Sequence, residues 1–307
     1  MPLEYSSNKN TYRNTLPQGH YDLIIVSLVH QPPEMLFCMA KNIEKYVKGS
    51  FLWIVHYNNS EHIDENALPP WAWLVRNTLV TIRFTSLLGY AVCKTLEFLV
   101  DNVTCTNVMT LSSGSAFFRE YQVPKIPKVQ IISHESFFEP SKLFEHTEPI
   151  PIEHLGKCVQ YLNKKGSGGW QYATGCDKDI RFHEYLKKRN FTHIRGGQWS
   201  GQVWPFDVAK MLVEDSMSMA NDISLEESQY IIYAFEEILL ATYAHNYAVQ
   251  RGIPIEEGEV IINWAFYYDI KDIKYIEMLR DIFKRKNGHA ACKLSDNVYD
   301  TVRQSLL

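Results

Sequence analysis

A strand–helix–strand unit in the first sixty residues limits the folds open to this chain. Residues 22–30 are a continuous apolar run, residues 34–47 carry apolar side chains at helical spacing, and residues 51–56 are a second apolar run. Continuous apolar strands joined by a helix are typical of a parallel sheet, which is buried on both faces and needs a crossover between its strands. The sequence therefore predicts an α/β fold.

The same alternation continues along the chain. It predicts a strand at 78–84, a helix at 89–103 and a strand at 107–115, and hence a mostly parallel central sheet flanked by helices. Later segments with the helical period lie at 182–190, 205–215, 224–249 and 271–286.

One domain is expected over residues 21–307, after a polar lead-in at residues 1–20. Within that domain, residues 119–170 are rich in proline and show no clear period. Long structured loops in compact domains are often functional, so we expect a loop-rich insertion that shapes a binding site.

The charge of the chain argues against nucleic acid as a partner. Lysine and arginine number 31 against 35 aspartates and glutamates, which gives a net charge of −4 rather than the basic surface of a phosphate-backbone binder. No apolar run approaches the ~20 residues that cross a bilayer, and the first residues lack the apolar centre of a signal peptide. We therefore expect a cytoplasmic protein with no transmembrane segment.

The polar residues that end the predicted strands are the first candidates for a functional site. His30, residues 57–60 and residues 112–115 each follow an apolar run. In open α/β sheets, ligands bind beyond the carboxyl ends of the strands. These three segments are therefore expected to face the same ligand.

Two pairs of carboxylates could carry chemistry. Glu236 and Glu237 lie inside an otherwise apolar helical segment, where a partly buried carboxylate has a raised pKa and can act as a general base. Asp177 and Asp179 form an Asp-x-Asp triplet, which in many nucleotide-sugar transferases holds a divalent metal. A solvated helix face and a chance triplet are the ordinary alternatives for these two features.

Seven short motifs occur in one order between about residues 21 and 295: LVHQPPEML, LWIVHYNNS, LLGYAV, LSSGSAFF, GGQWSGQVW, FEEILLAT and HAACK. Their order and spacing resemble the core-2/I-branching β-1,6-N-acetylglucosaminyltransferase and peptide-xylosyltransferase family, glycosyltransferase family 14. The resemblance implies a GT-A-type nucleotide-sugar fold, inversion of the anomeric configuration, and no metal or other cofactor.

The resemblance also implies roles for individual residues. Glu237 corresponds to the catalytic base and Lys293 to the lysine that binds the donor diphosphate, with Lys271 or Lys274 nearest to a further family arginine. The residues expected to bind the nucleotide-sugar are Val29, His30, His56, Asn58, Ser113, Gly114, Ser115, Lys271 and Lys293. Those expected near the sugars are Gln198, Trp199 and Glu236.

The sequence departs from the family pattern at two acidic positions. Asn58 replaces the acidic residue of a His-x-Asp motif, and Ser115 or Ala116 falls where a Leu-Ser-Gly-x-Asp motif has its aspartate. Golgi relatives carry a membrane anchor and several disulfides, for which this sequence shows no pattern, so the resemblance implies a prokaryotic or viral member.

The expected function is therefore transfer of a sugar from a UDP-sugar to a hydroxyl of a glycan or glycoconjugate, with residues 119–170 on the acceptor side. Trp170, Trp199 and Trp204 could be sugar platforms or core residues. The alternatives are a metal-dependent glycosyltransferase that uses Asp177 and Asp179, and an inactive sugar- or nucleotide-binding protein.

Overall fold

The structure is a computed structural model of the chain. It describes residues 19–57, 63, 67–75, 87–136, 150–151, 180–195, 197, 199–222, 235–262, 291–293 and 301–307.

Thirteen strands and six helices lie in the described part of the chain. The strands are β1 His20–Val29, β2 Val47–Lys48, β3 Phe51–Tyr57, β4 Ala72–Val75, β5 Thr104–Thr110, β6 Ser115–Phe117, β7 Tyr121–Gln122, β8 Val129–Ser136, β9 Ile150–Pro151, β10 His193–Ile194, β11 Val203–Pro205, β12 Ile255–Ile262 and β13 Ala291–Lys293. The helices are α1 Pro33–Tyr46, α2 Leu87–Asn102, α3 Ile180–Lys188, α4 Phe206–Asp222, α5 Phe235–Arg251 and α6 Thr301–Leu306.

Nine of these strands form one mixed, mostly parallel sheet. Their order is β4-β3-β1-β5-β11-β8-β12-β13-β6, in which β11 and β6 run antiparallel to their neighbours. Two pairs of two-residue strands, β9 with β10 and β2 with β7, lie outside it. The chain is thus α/β with a mostly parallel sheet flanked by helices, as predicted, and is compatible with a Rossmann-like fold.

Both faces of the sheet are buried, which explains the continuous apolar strands. Along β1 the side chains alternate: Ile24 and Val26 belong to one core cluster, and Leu23 and Ile25 belong to the other. The first cluster packs against α2, α4 and α5, and the second packs against α1. A parallel sheet covered on both faces needs this composition because neither face contacts water.

The structure confirms most of the predicted elements that it describes. The strands at 22–30 and 51–56 are β1 and β3, and the helices at 34–47, 89–103, 182–190 and 205–215 are α1 to α4. The strand predicted at 107–115 is divided, because β5 ends at Thr110 and β6 begins only at Ser115. Of the helix predicted at 224–249, the described part is α5; the strand at 78–84 and the helix at 271–286 lie outside the described residues.

Of the loop-rich insertion expected at 119–170, the structure describes residues 119–136 and 150–151, and this part contains one long strand. Residues 129–136 form β8, an eight-residue strand between β11 and β12 in the main sheet. Val129 and Ile131 are buried in the core while Gln130 lies between them, so the segment has the period of a strand. The prolines that precede it concealed this period in the sequence.

No helix among the described residues is long and apolar enough to cross a membrane.

Candidate functional site

The strand order reverses at β1, between β3 and β5. From β1, the chain passes to β3 and β4 on one side, and β5 lies on the other side. Both neighbours are parallel to β1, and the amide of Leu111 donates to the carbonyl of Val26 just beyond the last register pair. Ligands of open α/β sheets bind outside the carboxyl ends of the strands where the strand order reverses. We call this side of the sheet the carboxyl edge.

A tight turn of serines and glycine follows β5 at the carboxyl edge. The amide of Ser115 donates to the carbonyl of Ser112 at 2.9 Å, which closes a turn through Ser113 and Gly114. The Ser115 hydroxyl lies 2.8 Å from that of Ser112 and 2.7 Å from that of Ser200. The Ser112 amide also donates to Ser200 Oγ at 3.1 Å. We call Ser112, Ser115 and Ser200 the serine network.

The segment from 199 to 202 is fixed to the end of β5. The Thr110 hydroxyl donates to the carbonyl of Trp199, the amide of Gly201 donates to the carbonyl of Thr110 at 2.6 Å, and the amide of Thr110 donates to the carbonyl of Gln202 at 3.0 Å. Trp199 is 8% exposed and Trp204 is fully buried, and both belong to the hydrophobic core. Their burial favours a packing role over an open sugar platform.

The same loop packs against α5. A Cβ built on Gly197 would come within 3.1 Å of Ile131 and 3.3 Å of Ala241, so this glycine allows the loop to approach both the sheet and the helix closely. Two residues earlier, the amide of Arg195 donates to the Thr242 hydroxyl, which in turn donates to the carbonyl of Arg195. The GGQW and FEEILLAT motifs are therefore neighbours in the fold.

The first turn of α5, which contains Glu236 and Glu237, lies toward the carboxyl edge. The helix has 17 residues, about 25 Å, and is followed after Gly252 by β12, which begins opposite Val129 at the start of β8. Near its end the Tyr247 hydroxyl donates to Asp207 in the first turn of α4. This helix follows β11, which runs antiparallel to β5 and ends toward the side of the sheet opposite the carboxyl edge, which we call the amino edge. Because α5 ends at the amino edge, it begins at the opposite edge.

Lys293 lies on a strand that joins the serine turn to the far side of the sheet. In β13 it pairs with Ser115 of β6 on one side and with Ile262, the last residue of β12, on the other. Two motifs separated by nearly 180 residues in the sequence are thus register partners at the carboxyl edge.

The two histidines predicted to bind the nucleotide differ in environment. His30 is exposed just after β1, where its amide donates to the Gln31 side chain, and the preceding Val29 is fully buried in the core. His56 is fully buried, and its Nδ1 lies 3.2 Å from the Thr95 hydroxyl of α2. Burial lowers the pKa of His56 to about 4, so its ring is neutral at pH 7.

Arg303 of α6 also contacts the serine turn, and no motif in the sequence indicated this contact. Its Nη2 donates to the carbonyl of Ser113 at 3.2 Å, and the residue is 2% exposed. The same region is held by Asn42 of α1, whose side chain donates to the carbonyl of Phe117 at 2.8 Å and accepts from the Phe117 amide at 2.7 Å. A polar residue on the apolar face of a helix was the available signal for Asn42.

Five predicted site residues, and two further candidates, lie outside the described residues: Asn58, Gln198, Lys271, Asp177 and Asp179, with Lys274 and Trp170. Among the residues that are described, no group of three or more His, Cys, Asp or Glu side chains could hold a metal ion.

No protein-family model matches the sequence, and no curated protein matches it significantly.

Proposed function

We propose that this protein is an inverting glycosyltransferase of the GT-A type that transfers a sugar from a UDP-sugar to a hydroxyl of a glycan or glycoconjugate, without a metal or other cofactor. Glu237 is the general base, and Lys293 stabilises the diphosphate that leaves the donor.

The pairing of Lys293 with Ser115 is the observation that carries the proposal. It brings a cation-bearing strand to the turn that follows β5 at the carboxyl edge, where an α/β sheet binds its ligand. The loop that holds Ser200 joins this turn to α5, whose first turn contains Glu237. A base, a cation and a polar turn at one edge of the sheet are the parts that this reaction needs.

The chemistry follows from those parts. Glycosyl transfer passes through an oxocarbenium-like transition state while negative charge develops on the departing diphosphate. Lys293 would stabilise that charge. Glu237 would accept the proton of the acceptor hydroxyl, which attacks the anomeric carbon from the face opposite the diphosphate. One displacement with no covalent intermediate inverts the configuration, so an α-linked donor gives a β-linked product.

A donor-hydrolysis assay tests the proposal. The protein is incubated with UDP-, GDP- and CMP-sugars in EDTA and again in Mn²⁺, with and without a panel of glycan acceptors, and nucleotide release is measured. We expect turnover of a UDP-sugar in EDTA, lowered about 100-fold or more by Glu237→Gln and by Lys293→Ala. Glu214→Gln and Lys210→Ala, which change exposed residues of α4, serve as matched controls and should keep full activity.

Other outcomes would contradict the proposal in distinguishable ways. Turnover only in Mn²⁺, abolished by Asp177→Asn, would assign the reaction to a metal site at Asp177 and Asp179. Binding of the nucleotide without turnover of any donor or acceptor would indicate an inactive binding protein.

A further inference from the structure

The amino edge carries the two large hydrophobic side chains that are exposed among the described residues. Ile126 is 74% exposed in the loop that leads into β8, and Val249 is 54% exposed in the last turn of α5. The two segments reach the same end of the sheet because β8 and β12, which follow them, are parallel and pair from their first residues. Single exposed hydrophobic residues are ordinary, so the surroundings of these two decide what they can do.

The loop that presents Ile126 is held from inside the protein by Asn107 of β5. The Asn107 side chain is buried and donates to the carbonyls of Pro124 and Ile126 at 3.0 and 2.9 Å. Its oxygen accepts from the amide of Lys128 at 2.9 Å. Prolines at 124 and 127 further restrict the backbone on both sides of Ile126. Because the backbone is already fixed, burial of the projecting side chain loses little conformational entropy.

Each of the two exposed hydrophobic side chains has a cation beside it. Lys125 precedes Ile126, and Arg251 lies two residues after Val249. Lys187, in the last turn of α3, lies at the same edge, because a glutamine side chain at the end of α5 donates to the two carbonyls that follow α3. Lys125, Lys187 and Arg251 are exposed, and the structure places none of the described carboxylates within ion-pair distance of them.

Nearby carboxylates do not neutralise these cations. Asp207 forms an ion pair with Lys210 at 3.0 Å, and Glu256 forms one with Lys128 at 2.7 Å. Glu184 of α3 lies about one turn farther from the edge than the last turn of that helix. The surface beside the two hydrophobic side chains is therefore locally positive, although the whole chain carries a net charge of −4.

We call Lys125, Ile126, Lys187, Val249 and Arg251 the basal face. The cations of this face complement the phosphates of anionic lipids, and their aliphatic stems can stay against buried hydrophobic side chains while the charges reach the headgroups. The two hydrophobic side chains lie on separate elements of the fold. A fluid bilayer accepts such side chains at any spacing, whereas a folded partner has to match their positions.

We propose that the basal face docks this protein reversibly on the surface of an anionic lipid bilayer. Ile126 and Val249 insert among the headgroups, and the three cations bind lipid phosphates. A contact of this size is weak and is screened by salt. The carboxyl edge lies on the opposite side of the sheet and stays open to solvent, so the inference does not depend on the proposed function.

Sedimentation of the full chain with lipid vesicles tests the inference. The vesicles contain phosphatidylcholine alone or with about one third phosphatidylglycerol, at low and at high NaCl. We expect binding to the anionic vesicles at low salt. Binding should fall about tenfold or more in Ile126→Ser/Val249→Ser, and about thirtyfold or more in Lys125→Gln/Lys187→Gln/Arg251→Gln.

Conservative variants of the same positions are the matched controls. Ile126→Leu/Val249→Ile keeps the hydrophobic side chains and Lys125→Arg/Lys187→Arg/Arg251→Lys keeps the charges, so both should bind within about twofold of the wild type. Lys41→Gln removes one exposed charge in the middle of α1, outside the basal face, and should also bind normally. Because every substituted side chain is exposed, thermal unfolding of the variants should match that of the wild type.

No binding to the anionic vesicles at low salt would overturn the inference, and so would equal losses in the conservative and the non-conservative variants. Light scattering without lipid tests a different occupant of the face. A dimer that Ile126→Ser/Val249→Ser dissociates would assign the basal face to contact between two copies of the chain and would overturn docking on lipid. Donor hydrolysis is measured without lipid, so failure of this inference leaves the proposed function intact.

Discussion

This molecule has two buried polar networks, of which one is built on charged groups and the other on neutral groups. On the helical layer, Asp215 is fully buried and accepts from Arg189 at 2.7 and 3.0 Å and from the Tyr243 hydroxyl at 2.9 Å. Its partners join α5 and the end of α3 to α4. At the carboxyl edge, the serine network consists of neutral hydroxyls and backbone groups, from a turn between two strands and from Ser200 in a neighbouring loop.

This difference distinguishes polar groups that stabilise the fold from polar groups that can bind a ligand. The Asp215 carboxylate is satisfied by a guanidinium and a phenol. Its hydrogen bond raises the pKa of Arg189, while burial and then the charge of Asp215 raise the pKa of Tyr243. A charge balanced within the protein has little left to offer a ligand, and its loss is costly. Hydroxyls can exchange donor and acceptor roles, so the serine network can change partners when a ligand arrives.

Removal of Asp215 should give the largest loss of stability. In Asp215→Ala, the Tyr243 hydroxyl is left buried without its acceptor and Arg189 loses its bidentate partner. We expect unfolding to require about 3 kcal/mol less free energy, measured by urea denaturation. Nucleotide affinity, measured at a temperature where the variant is folded, should not change. A loss of nucleotide affinity under these conditions would contradict the distinction between the two networks.

We expect the protein to lose stability in acid because of His56. Its pKa is about 4 in the folded protein, below the ordinary value of 6.5, so the unfolded chain takes up the proton more readily. The contribution is complete above pH 6.5, decreases as the pH falls, and is lost below about pH 4. Its size is about 3 kcal/mol from the size of the shift.

The comparison of wild type with His56→Gln isolates this contribution. Urea denaturation at pH 7, 5.5 and 4.5 should show the difference in unfolding free energy between the two proteins shrinking as the pH falls. A difference that stays constant with pH would show that His56 is not held neutral in the folded state.

The smallest stability effect is expected from the serine network. Ser200→Ala removes the acceptor for the Ser112 amide and a hydroxyl partner of Ser115. We expect a cost of about 1 kcal/mol in unfolding free energy, together with a several-fold loss of UDP affinity. Thr106→Ala, which removes a hydroxyl that contacts exposed His20, is the control and should leave affinity unchanged. A normal affinity in Ser200→Ala would exclude the network from the site.

The sequence was informative where each element follows its own local pattern. The strands β1 and β3 and the helix α1 between them each carry their period within one segment, so this unit was predictable. The strands β4, β8, β11, β12 and β13 of the main sheet were missed. β11 has only three residues, prolines precede β8, and the second and third residues of β12 are the polar Glu256 and Glu257.

The candidate site was predictable only in part, for a related reason. Polar residues at strand ends identified His30 and the serine turn, because that rule depends on local order alone. The pairing of Lys293 with Ser115 and the contact of Arg303 with Ser113 join residues almost 180 or more positions apart. Such contacts depend on the tertiary arrangement of the strands, which the periodicity of a single segment does not reveal.

Hydrogen exchange with and without UDP tests most directly whether the carboxyl edge is the ligand site. We expect slower exchange in peptides that cover residues 111–116 and 291–293, and unchanged exchange around Asp215 and in the connection at 252–254 at the opposite edge. Protection confined to the Asp215 region or to the amino edge, or no protection anywhere at saturating UDP, would contradict this expectation.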